Sequence, residues 1–254
     1  MPELPEVETM RRGVACVEGS VISNVHFPRI KARPILVAPN RRTFQRNATG
    51  QRIVDVGRLG KPVVLTLESD DCVILEPRMT GPVLLADPPT RQHLRLRFSL
   101  VTKRGRKREL LFWDRRGLGS VHLLSPDELT VLREEKLGPD ALAVSVEELR
   151  VRLGKSRRAI KVALLDQAAV AGVGNLYASE LLHVARVHPE RRCDLLTKGQ
   201  WQRIHSAMVD VLEEAIRYEG STLSDGTYRN ALNKAGGYQN AHRVYDKAQQ
   251  PCPS

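Results

Sequence analysis

Cysteine and aromatic residues are scarce in this chain of 254 residues, which has four cysteines and only 4% aromatic side chains. The cysteines lie far apart, at Cys16, Cys72, Cys193 and Cys252. This spacing shows no disulfide framework, which excludes a small disulfide-stapled scaffold and fits a reducing cytosol. No apolar run approaches the ~18 residues of a membrane span. The N-terminus also lacks the basic-then-apolar order of a secretory signal, so we expect a cytoplasmic protein.

Acidic residues are outnumbered by basic ones. Forty Lys and Arg residues face 29 Asp and Glu residues, which gives a formal net charge of +11 and a sequence pI near 9.9. The cations are clustered, at 41–42, 103–108, 115–116 and 155–161. Clustered positive charge favours a polyanionic partner, with nucleic acid as the first candidate, and a merely solubilising surface is the alternative.

The first half of the chain has the pattern of an antiparallel β-sandwich or barrel. With 41% hydrophobic residues the chain can bury a core, and its length suggests two domains. Short β-type runs follow one another at intervals of about ten residues, with Gly, Pro and Asp between them. The predicted strands are 21–27, 51–56, 62–68, 71–75, 94–100, 110–114 and 119–124.

Near Ser125 the apolar period changes from two to 3.6, which predicts a helical second half. Ser125 suits the cap of a helix with an acidic first turn, and the sequence LGPD at 137–140 predicts a break between lobes. The predicted helices are at about 145–153, 157–168, 175–184 and 197–218. A glycine link at 171–174 separates two of them, as in a helix-turn-helix. After Gly220 the chain is polar and glycine-rich, which is typical of a mobile functional loop.

The N-terminus is the first candidate site. Methionine is usually trimmed before a small residue, which would leave Pro2 as a secondary amine with a pKa near ~7.7–8.0. Pro5 and Glu6 suit the first turn of a helix, whose dipole would lower that pKa further. With the adjacent Glu3 to give or take a proton, such an amine is able to attack a sugar C1′ and form a Schiff base. An ordinary acidic amphipathic helix that follows Met-Pro is the alternative.

Other candidate positions each have an ordinary structural alternative. The turn GVGN at 172–175, with Asn175 as the expected N-cap, offers N–H groups for a phosphate unless its glycines serve geometry alone. Lys61 stands just before a predicted strand and is either functional or an exposed turn lysine. Arg116 is either a phosphate or groove contact or a surface arginine, and Met79 is by default a core residue.

The chain contains the motifs PELPEVET at 2–9, GK at 60–61, RMTG at 78–81, AGVGNLYASE at 171–180 and VHP at 187–189. Together these motifs resemble the formamidopyrimidine-DNA glycosylase family, and the resemblance runs from Met1 almost to the end of the chain. The resemblance implies two lobes that clamp damaged double-stranded DNA, flip the damaged nucleotide out of the stack and excise its base. Leu4 indicates the branch that acts on oxidised purines, because the endonuclease VIII branch usually has glycine there. An oxidised-pyrimidine preference is the weaker option.

The expected fold is α+β with two domains. Residues 1–135 form an N-terminal helix and a β-sandwich catalytic domain, and residues 136–220 form a helix–two-turn–helix DNA-binding domain. Residues 221–254 form the lesion-covering loop, which the resemblance places at about 220–238, and the start of an incomplete zinc hairpin.

The resemblance implies a bifunctional DNA glycosylase and AP lyase of base-excision repair that removes 8-oxoguanine and formamidopyrimidines. It assigns Pro2 as the Schiff-base nucleophile and Glu3 as the group that protonates the sugar and later takes a proton back. It assigns Lys61 to the DNA phosphate and to proton transfer during strand cleavage by β- and δ-elimination. The residues expected to contact DNA are His93, Arg116, Lys161, Asn175 and Tyr238. The residues expected to fill the space of the everted base are Met79, Arg116 and Leu118.

Three positions depart from the family pattern. Leu118 stands where phenylalanine is usual, so the wedge stacks less well on the bases. Gly117 replaces a basic residue and removes one phosphate charge. Glu76 stands where a phosphate-binding histidine is common, and it would repel DNA unless it pairs with a cation such as Arg78.

The end of the sequence departs further, because the approach to a four-cysteine zinc hairpin stops after its first cysteine, Cys252. A structural zinc site needs about four ligands, so we expect no cofactor in the chain as given and zinc only in a full-length family member. A chain truncated inside the hairpin is the favoured explanation. A catalytically impaired protein that binds damaged DNA is the alternative function. We expect a monomer without membrane contact that associates with the bacterial nucleoid through DNA.

Overall fold

A computed structural model describes residues 2–224, 226 and 228–252, and it has two lobes with separate cores. The N-terminal lobe is a β-sandwich, and the second lobe is a bundle of helices. No helix among these residues is long and apolar enough to cross a membrane.

The first helix, α1 (Leu4–Val14), lies between the two lobes. Glu3 caps it in a capping box, and Pro5 lies in its first turn, where a missing N–H costs nothing. Leu4 is buried in the helical core, whereas Val7, Met10 and Val14 are buried in the sandwich core. The predicted apolar spacing therefore gives one helix that belongs to both cores, and the first residues of the chain lie where the lobes meet.

Among the described residues, nine strands form the two layers of a sandwich, and seven of them lie where strands were predicted. They are β1 (Val21–His26), β2 (Leu36–Ala38), β3 (Ile53–Arg58), β4 (Val63–Leu67), β5 (Cys72–Glu76), β6 (Val83–Leu84), β7 (Leu94–Val101), β8 (Lys107–Trp113) and β9 (Ser120–Leu124). One sheet has the order β1-β7-β8-β6 and the other β2-β9-β5-β4-β3. Along β7 the positions from Leu96 to Val101 alternate between buried and partly buried, whereas β5 is buried at four of its five positions.

The sandwich is not antiparallel throughout, which corrects the prediction. Strand β2 pairs in parallel with β9, with Leu36 opposite Ser120 and Ala38 opposite His122. Strands β2 and β6 and the helix α2 (Arg41–Ala48) were not predicted. The two strands have three and two residues, too few to show alternation, and α2 buries only Phe44 and Ala48.

The second lobe follows the predicted break and is helical. Helix α3 (Pro126–Val131) precedes the break. The helices of the second lobe are α4 (Val146–Leu153), α5 (Ile160–Leu164), α6 (Asn175–Val184) and α7 (Lys198–Arg217). Ser125 caps α3 in a capping box, as predicted. Helix α5 is shorter than the predicted 157–168. The turn after it is organised by the side chain of Gln167, which donates to the Val173 carbonyl at 2.9 Å and accepts from the Gly172 N–H at 3.0 Å.

The described residues after Gly220 pack on both lobes. Tyr228 and Ala231 are buried in the sandwich core, whereas Tyr238 is buried in the helical core. The Leu85 N–H also donates to the Ala231 carbonyl at 2.8 Å. This segment therefore ties the lobes together on the side of α1. Asp225 and Thr227, in the expected lesion-covering loop, and Pro253 and Ser254 lie outside the described residues.

Candidate functional site

The Glu3 carboxyl lies at the N-terminus of α6, where the two lobes meet. Its Oε2 accepts hydrogen bonds from the Gly174 N–H at 2.7 Å and the Tyr177 N–H at 3.3 Å. Its Oε1 accepts one from the Leu176 N–H at 3.0 Å. The first N–H groups of a helix have no partner within the helix, and the helix dipole favours negative charge there. The start of α6 therefore fixes this carboxyl in one position.

Two glycines allow the close approach of α1 to α6. The Leu4 N–H donates to the Gly172 carbonyl at 3.0 Å. Gly172 has a φ of +110°, which side chains disfavour, and a Cβ there would overlap the side chain of Leu4. A Cβ at Gly174 would overlap the carboxyl of Glu3. The glycines of this turn are thus required by the position of Glu3.

The N–H groups of this turn were predicted to bind a phosphate. This prediction is wrong, because they bind a carboxyl of the protein itself. The N–H groups of Gly174, Leu176 and Tyr177 bind the carboxyl of Glu3, which is part of the same chain. The N-cap is Gly174, and Asn175 is the first residue of α6. The side chain of Asn175 is exposed beside this site, so it stays available to an external ligand.

The pKa values of the Glu3 carboxyl and the Lys61 ammonium are both shifted toward neutral pH. Burial raises the pKa of the Glu3 carboxyl to about 7, although the charge of Lys61 opposes the shift. Burial also lowers the pKa of the Lys61 ammonium, and the charges of Glu3 and Glu6 oppose that shift. A carboxyl with a pKa near 7 is suited to both giving and taking a proton at neutral pH.

A second buried carboxyl, that of Glu6, supports the first. Its Oε2 accepts from the Glu3 N–H at 2.9 Å, and its Oε1 accepts from the Tyr177 hydroxyl at 2.5 Å and the Ser221 N–H at 2.8 Å. Burial raises the pKa of Glu6. Sequence reasoning missed this bridge between α1, α6 and the segment after Gly220. The available signal was the tyrosine inside the motif at 171–180.

Pro2 is buried next to Glu3, just before α1. The structure therefore places the expected nucleophile and the expected acid in the same region, between the lobes. Met1 lies outside the described residues, and its removal stays a prediction.

Two loops of the sandwich lobe carry Met79, Arg116 and Leu118, which we call the wedge residues. Met79 lies in the turn after β5, and the other two lie between β8 and β9. Met79 is 36% exposed, Arg116 is exposed and Leu118 is partly buried. The loops touch, because the Arg116 N–H donates to the Thr80 hydroxyl at 3.1 Å. The structure thus brings together residues that lie far apart in the sequence.

Two of the noted departures from the family pattern have local explanations. The Arg78 Nε lies 3.1 Å from the Glu76 Oε1, which confirms the predicted pair, and the Ser120 hydroxyl donates to the Glu76 Oε2 at 2.7 Å. Gly117 has a φ of +64°, and a Cβ there would overlap the carbonyl of Arg33. Glycine at 117 is therefore required by the path of the loop at residues 28–34.

Other expected DNA contacts lie at separate places on the two lobes. His93 precedes β7, with its ring edge-on to Trp113 at 5.6 Å between centroids. Lys161 lies on α5 and is partly buried. It borders a cavity of about 570 Å³ that also has Arg186 and His188 in its wall. Both lobes therefore present basic groups.

Tyr238 does not reach the surface, which corrects its expected role as a direct DNA contact. Its side chain is fully buried against Tyr177, at 5.7 Å between ring centroids, and its hydroxyl accepts from Arg243 at 3.2 Å. Its N–H donates to the Gly220 carbonyl at 3.0 Å. The residue packs the helical core beneath the site, so we leave it out of the DNA-contact set.

The described part of the chain does not fit a zinc site. Within residues 2–224, 226 and 228–252, no three or more His, Cys, Asp or Glu side chains lie close enough together to hold a metal ion. Cys252, the expected first ligand, is exposed, whereas Cys72 and Cys193 are buried in different lobes. No chemical step is therefore assigned to a metal.

A β-sandwich and a helical lobe meet over the buried Glu3 carboxyl, and both lobes present basic groups, as is expected of a two-lobed DNA glycosylase. Family models agree with this class. The N-terminal domain of formamidopyrimidine-DNA glycosylase matches residues 1–121, and its H2TH domain matches residues 137–227. The chain belongs to the formamidopyrimidine-DNA glycosylase family and is a DNA glycosylase of base-excision repair.

Individual relatives support the same assignment along the whole chain. The formamidopyrimidine-DNA glycosylase of Chloroflexus aurantiacus is 38% identical over 259 residues, which cover 100% of this chain and 89% of the relative. The crystal structure of the MutM (Fpg) protein of Thermus thermophilus matches with a TM-score of 0.83 and 36% identity, over 100% of this chain and 90% of that one. Lactococcus lactis Fpg, solved in a complex with DNA containing an abasic site, matches with a TM-score of 0.86 and 30% identity, over 99% of this chain and 90% of that one.

Proposed function

We propose that this protein removes oxidised purines, 8-oxoguanine and formamidopyrimidines, from double-stranded DNA and then cleaves the strand as an AP lyase. The observation that carries this function is the buried Glu3 carboxyl, held by α6, with a pKa of about 7 beside the N-terminal proline. The solved Lactococcus lactis Fpg complexes, which contain Fapy-dG DNA or abasic-site DNA, support the substrate class. The enzyme acts as a monomer in the bacterial cytoplasm.

The chemistry begins at Pro2, which is the N-terminal residue once Met1 is removed. Its amine nitrogen attacks the sugar C1′, and the bond from C1′ to the base breaks as the base leaves with the electron pair. The nitrogen then loses its proton to the departing base, which leaves as a neutral molecule, and the nitrogen lone pair is restored. Glu3 donates its proton to the ring oxygen O4′, the sugar ring opens, and the nitrogen lone pair completes an iminium ion, the Schiff base. The ionised carboxylate of Glu3 is then the base for the next proton transfer.

Strand cleavage follows from the iminium ion, which makes the C2′ proton acidic. Loss of that proton expels the 3′ phosphate by β-elimination, and loss of a C4′ proton expels the 5′ phosphate by δ-elimination. Hydrolysis then frees Pro2 from the sugar fragment. Lys61 binds the phosphate and assists these proton transfers, and the interaction of its charge with the Glu3 carboxyl supports the second of these roles.

The wedge residues make the base accessible. Flipping a nucleotide costs a few kcal/mol of stacking and pairing, and inserted side chains replace part of that loss. Met79 and Leu118 supply apolar surface, and Arg116 supplies a charged planar group. His93, Lys161 and Asn175 bind the DNA backbone, and the loop at 220–238 covers the everted base.

Borohydride trapping tests this function. The protein with Pro2 at its N-terminus is incubated at low salt with a duplex that contains 8-oxoguanine or an abasic site, and the Schiff base is reduced to a stable adduct. We expect an adduct with both duplexes, and much less with Pro2→Gly. Lesion-preferring binding without adduct or strand product would instead support the catalytically impaired binding protein, since salt-sensitive binding needs only the basic surface.

A further inference from the structure

The two loops that carry the wedge residues share one buried anchor, Asp114. Its side chain has no exposed surface, and it lies at the end of β8, where the loop at 114–119 begins. Neither sequence patterns nor the family resemblance singled it out. Asp114 lies between the two loops and binds groups in both of them.

Three hydrogen bonds converge on this carboxylate. The Oδ1 accepts from the Thr80 hydroxyl at 2.5 Å and from the Arg116 N–H at 3.0 Å. The Oδ2 accepts from the Gly119 N–H at 2.8 Å. The donors lie next to the wedge residues: Thr80 follows Met79, Arg116 is itself one, and Gly119 follows Leu118. One carboxylate therefore binds two backbone N–H groups of the loop at 114–119 and the Thr80 side chain in the other loop.

The main chain of Asp114 is held from the opposite side. The buried guanidinium of Arg95 donates to the Asp114 carbonyl at 2.6 Å and to the Arg33 carbonyl at 2.8 Å. A buried carboxylate is costly unless its oxygens are bonded, so loss of one donor weakens the whole arrangement. The loops that carry the wedge residues are thus held by a polar side chain that is fully buried.

We propose that Asp114 and Thr80 are positioning residues that hold the two wedge loops in the geometry needed to enter DNA. This role rests on the proposed function, because it concerns the insertion step of base eversion. Neither side chain touches DNA; both act through Met79, Arg116 and Leu118. A preorganised wedge loses no loop freedom on insertion, whereas a mobile one must be ordered in each encounter.

The test compares three threonine variants. Thr80→Val removes the hydroxyl and keeps the side-chain shape, and Thr80→Ser keeps the hydroxyl. Thr130→Val makes the same change on α3, where the hydroxyl donates to the Pro126 carbonyl of its own helix. Each is measured for single-turnover excision of 8-oxoguanine from a duplex and for cleavage at an abasic site in single-stranded DNA. The single strand has no opposite base and no stack to fill, so its cleavage needs no wedge.

We expect Thr80→Val to slow duplex excision about tenfold, the loss expected for one hydrogen bond to a buried charge, with single-strand cleavage within about twofold of normal. Thr80→Ser restores most of the duplex rate, and Thr130→Val has the normal rate on both substrates. Equal losses on both substrates would show a merely structural role and overturn the proposal. So would a normal duplex rate in Thr80→Val.

A binding measurement separates this proposal from the proposed function. A duplex with a tetrahydrofuran abasic analogue and 2-aminopurine next to it reports insertion by fluorescence, with no bond broken. We expect a smaller fluorescence rise with Thr80→Val and Asp114→Asn than with the unchanged protein. An unchanged protein that inserts but neither excises nor traps would refute the proposed chemistry alone. Equal fluorescence in all variants would refute the positioning role alone.

Discussion

Glu3 and Asp114 are both buried carboxyls that accept hydrogen bonds from the backbone, yet their surroundings differ. Glu3 is bound by three N–H groups of one helix start, with Lys61 and Glu6 close enough to act on its charge. Asp114 is bound by donors from the two loops that carry the wedge residues. In our proposals, the first carboxyl is fixed in one position so that it can exchange a proton, and the second fixes the positions of other residues.

This difference shows that burial and hydrogen bonding alone do not mark a catalytic carboxyl. What distinguishes Glu3 is a pKa of about 7, next to Pro2, the proposed nucleophile, and a lysine of lowered pKa. What distinguishes Asp114 is that its donors adjoin surface residues of two separate loops. Substitutions should therefore damage different steps in the two regions.

The largest effect should come from Glu3→Gln. An amide cannot protonate O4′ or take a proton back, so single-turnover excision of 8-oxoguanine should fall by about 10²- to 10⁴-fold, as for a lost general acid. Binding to a tetrahydrofuran duplex should change much less. An excision rate within a few-fold of normal would show that Glu3 is not the proton donor. Glu3 would then have only a structural role, like Asp114.

A smaller effect is expected at Leu118 in the wedge. Leu118→Ala should slow duplex excision by about tenfold, because less apolar surface replaces the lost stacking. Leu118→Phe should raise the rate a few-fold, since a ring stacks better than a branched chain. Single-turnover rates on duplex DNA check both, with cleavage of single-stranded abasic DNA as the control. A loss of the same size on the single strand would place Leu118 with the chemistry instead.

The pH profile of excision should move when Lys61 is replaced. The acid form of Glu3 disappears as the pH rises through about 7, so the excision rate should fall on the alkaline side of that value. The charge of Lys61 lowers the pKa of Glu3, so Lys61→Met should shift this alkaline limb to higher pH. The shift is expected even if the substitution also lowers the maximal excision rate. A limb that stays in place or moves to lower pH would show that the two groups are not coupled.

The smallest effect, on stability, concerns a third carboxyl, Glu8, which lies near Glu3 on α1 but has no proposed chemistry. Burial would raise its pKa, but hydrogen bonds from Arg11 and Arg12 and the charge of Arg58 outweigh it and lower the pKa to about 2. A lowered pKa stabilises the fold above the ordinary value near 4.5 and ceases to do so as the pH falls through about 2. Glu8→Gln should therefore reduce the free energy of unfolding at pH 7 by roughly 1–3 kcal/mol.

Urea unfolding at several pH values checks this prediction. The difference between Glu8→Gln and the unchanged protein should shrink as the pH falls from 5 toward 2, and excision at pH 7 should stay near normal. A stability difference that is the same at all pH values would mean that the ion pairs contribute little.

The sequence was sufficient for the parts that repeat or follow local rules. Periods of two and 3.6 predicted most strands and helices, and Ser125 predicted a helix start, because these features depend on neighbours in the chain. The sequence was insufficient where contacts join distant segments. The binding of Glu3 by α6 spans more than 170 residues, and it gave the N–H groups of the glycine turn a different occupant from the expected phosphate. Asp114 was missed for the same reason, since its donor Thr80 lies 34 residues away.

The covalent step can be located directly. After borohydride reduction on abasic DNA, digestion of the adduct and mass spectrometry of its peptides identify the residue that carries the sugar fragment. We predict a single modified peptide that begins at Pro2, with the fragment on its N-terminal nitrogen and Met1 absent. An adduct on a lysine such as Lys61, or active protein that retains Met1, would contradict an N-terminal proline nucleophile.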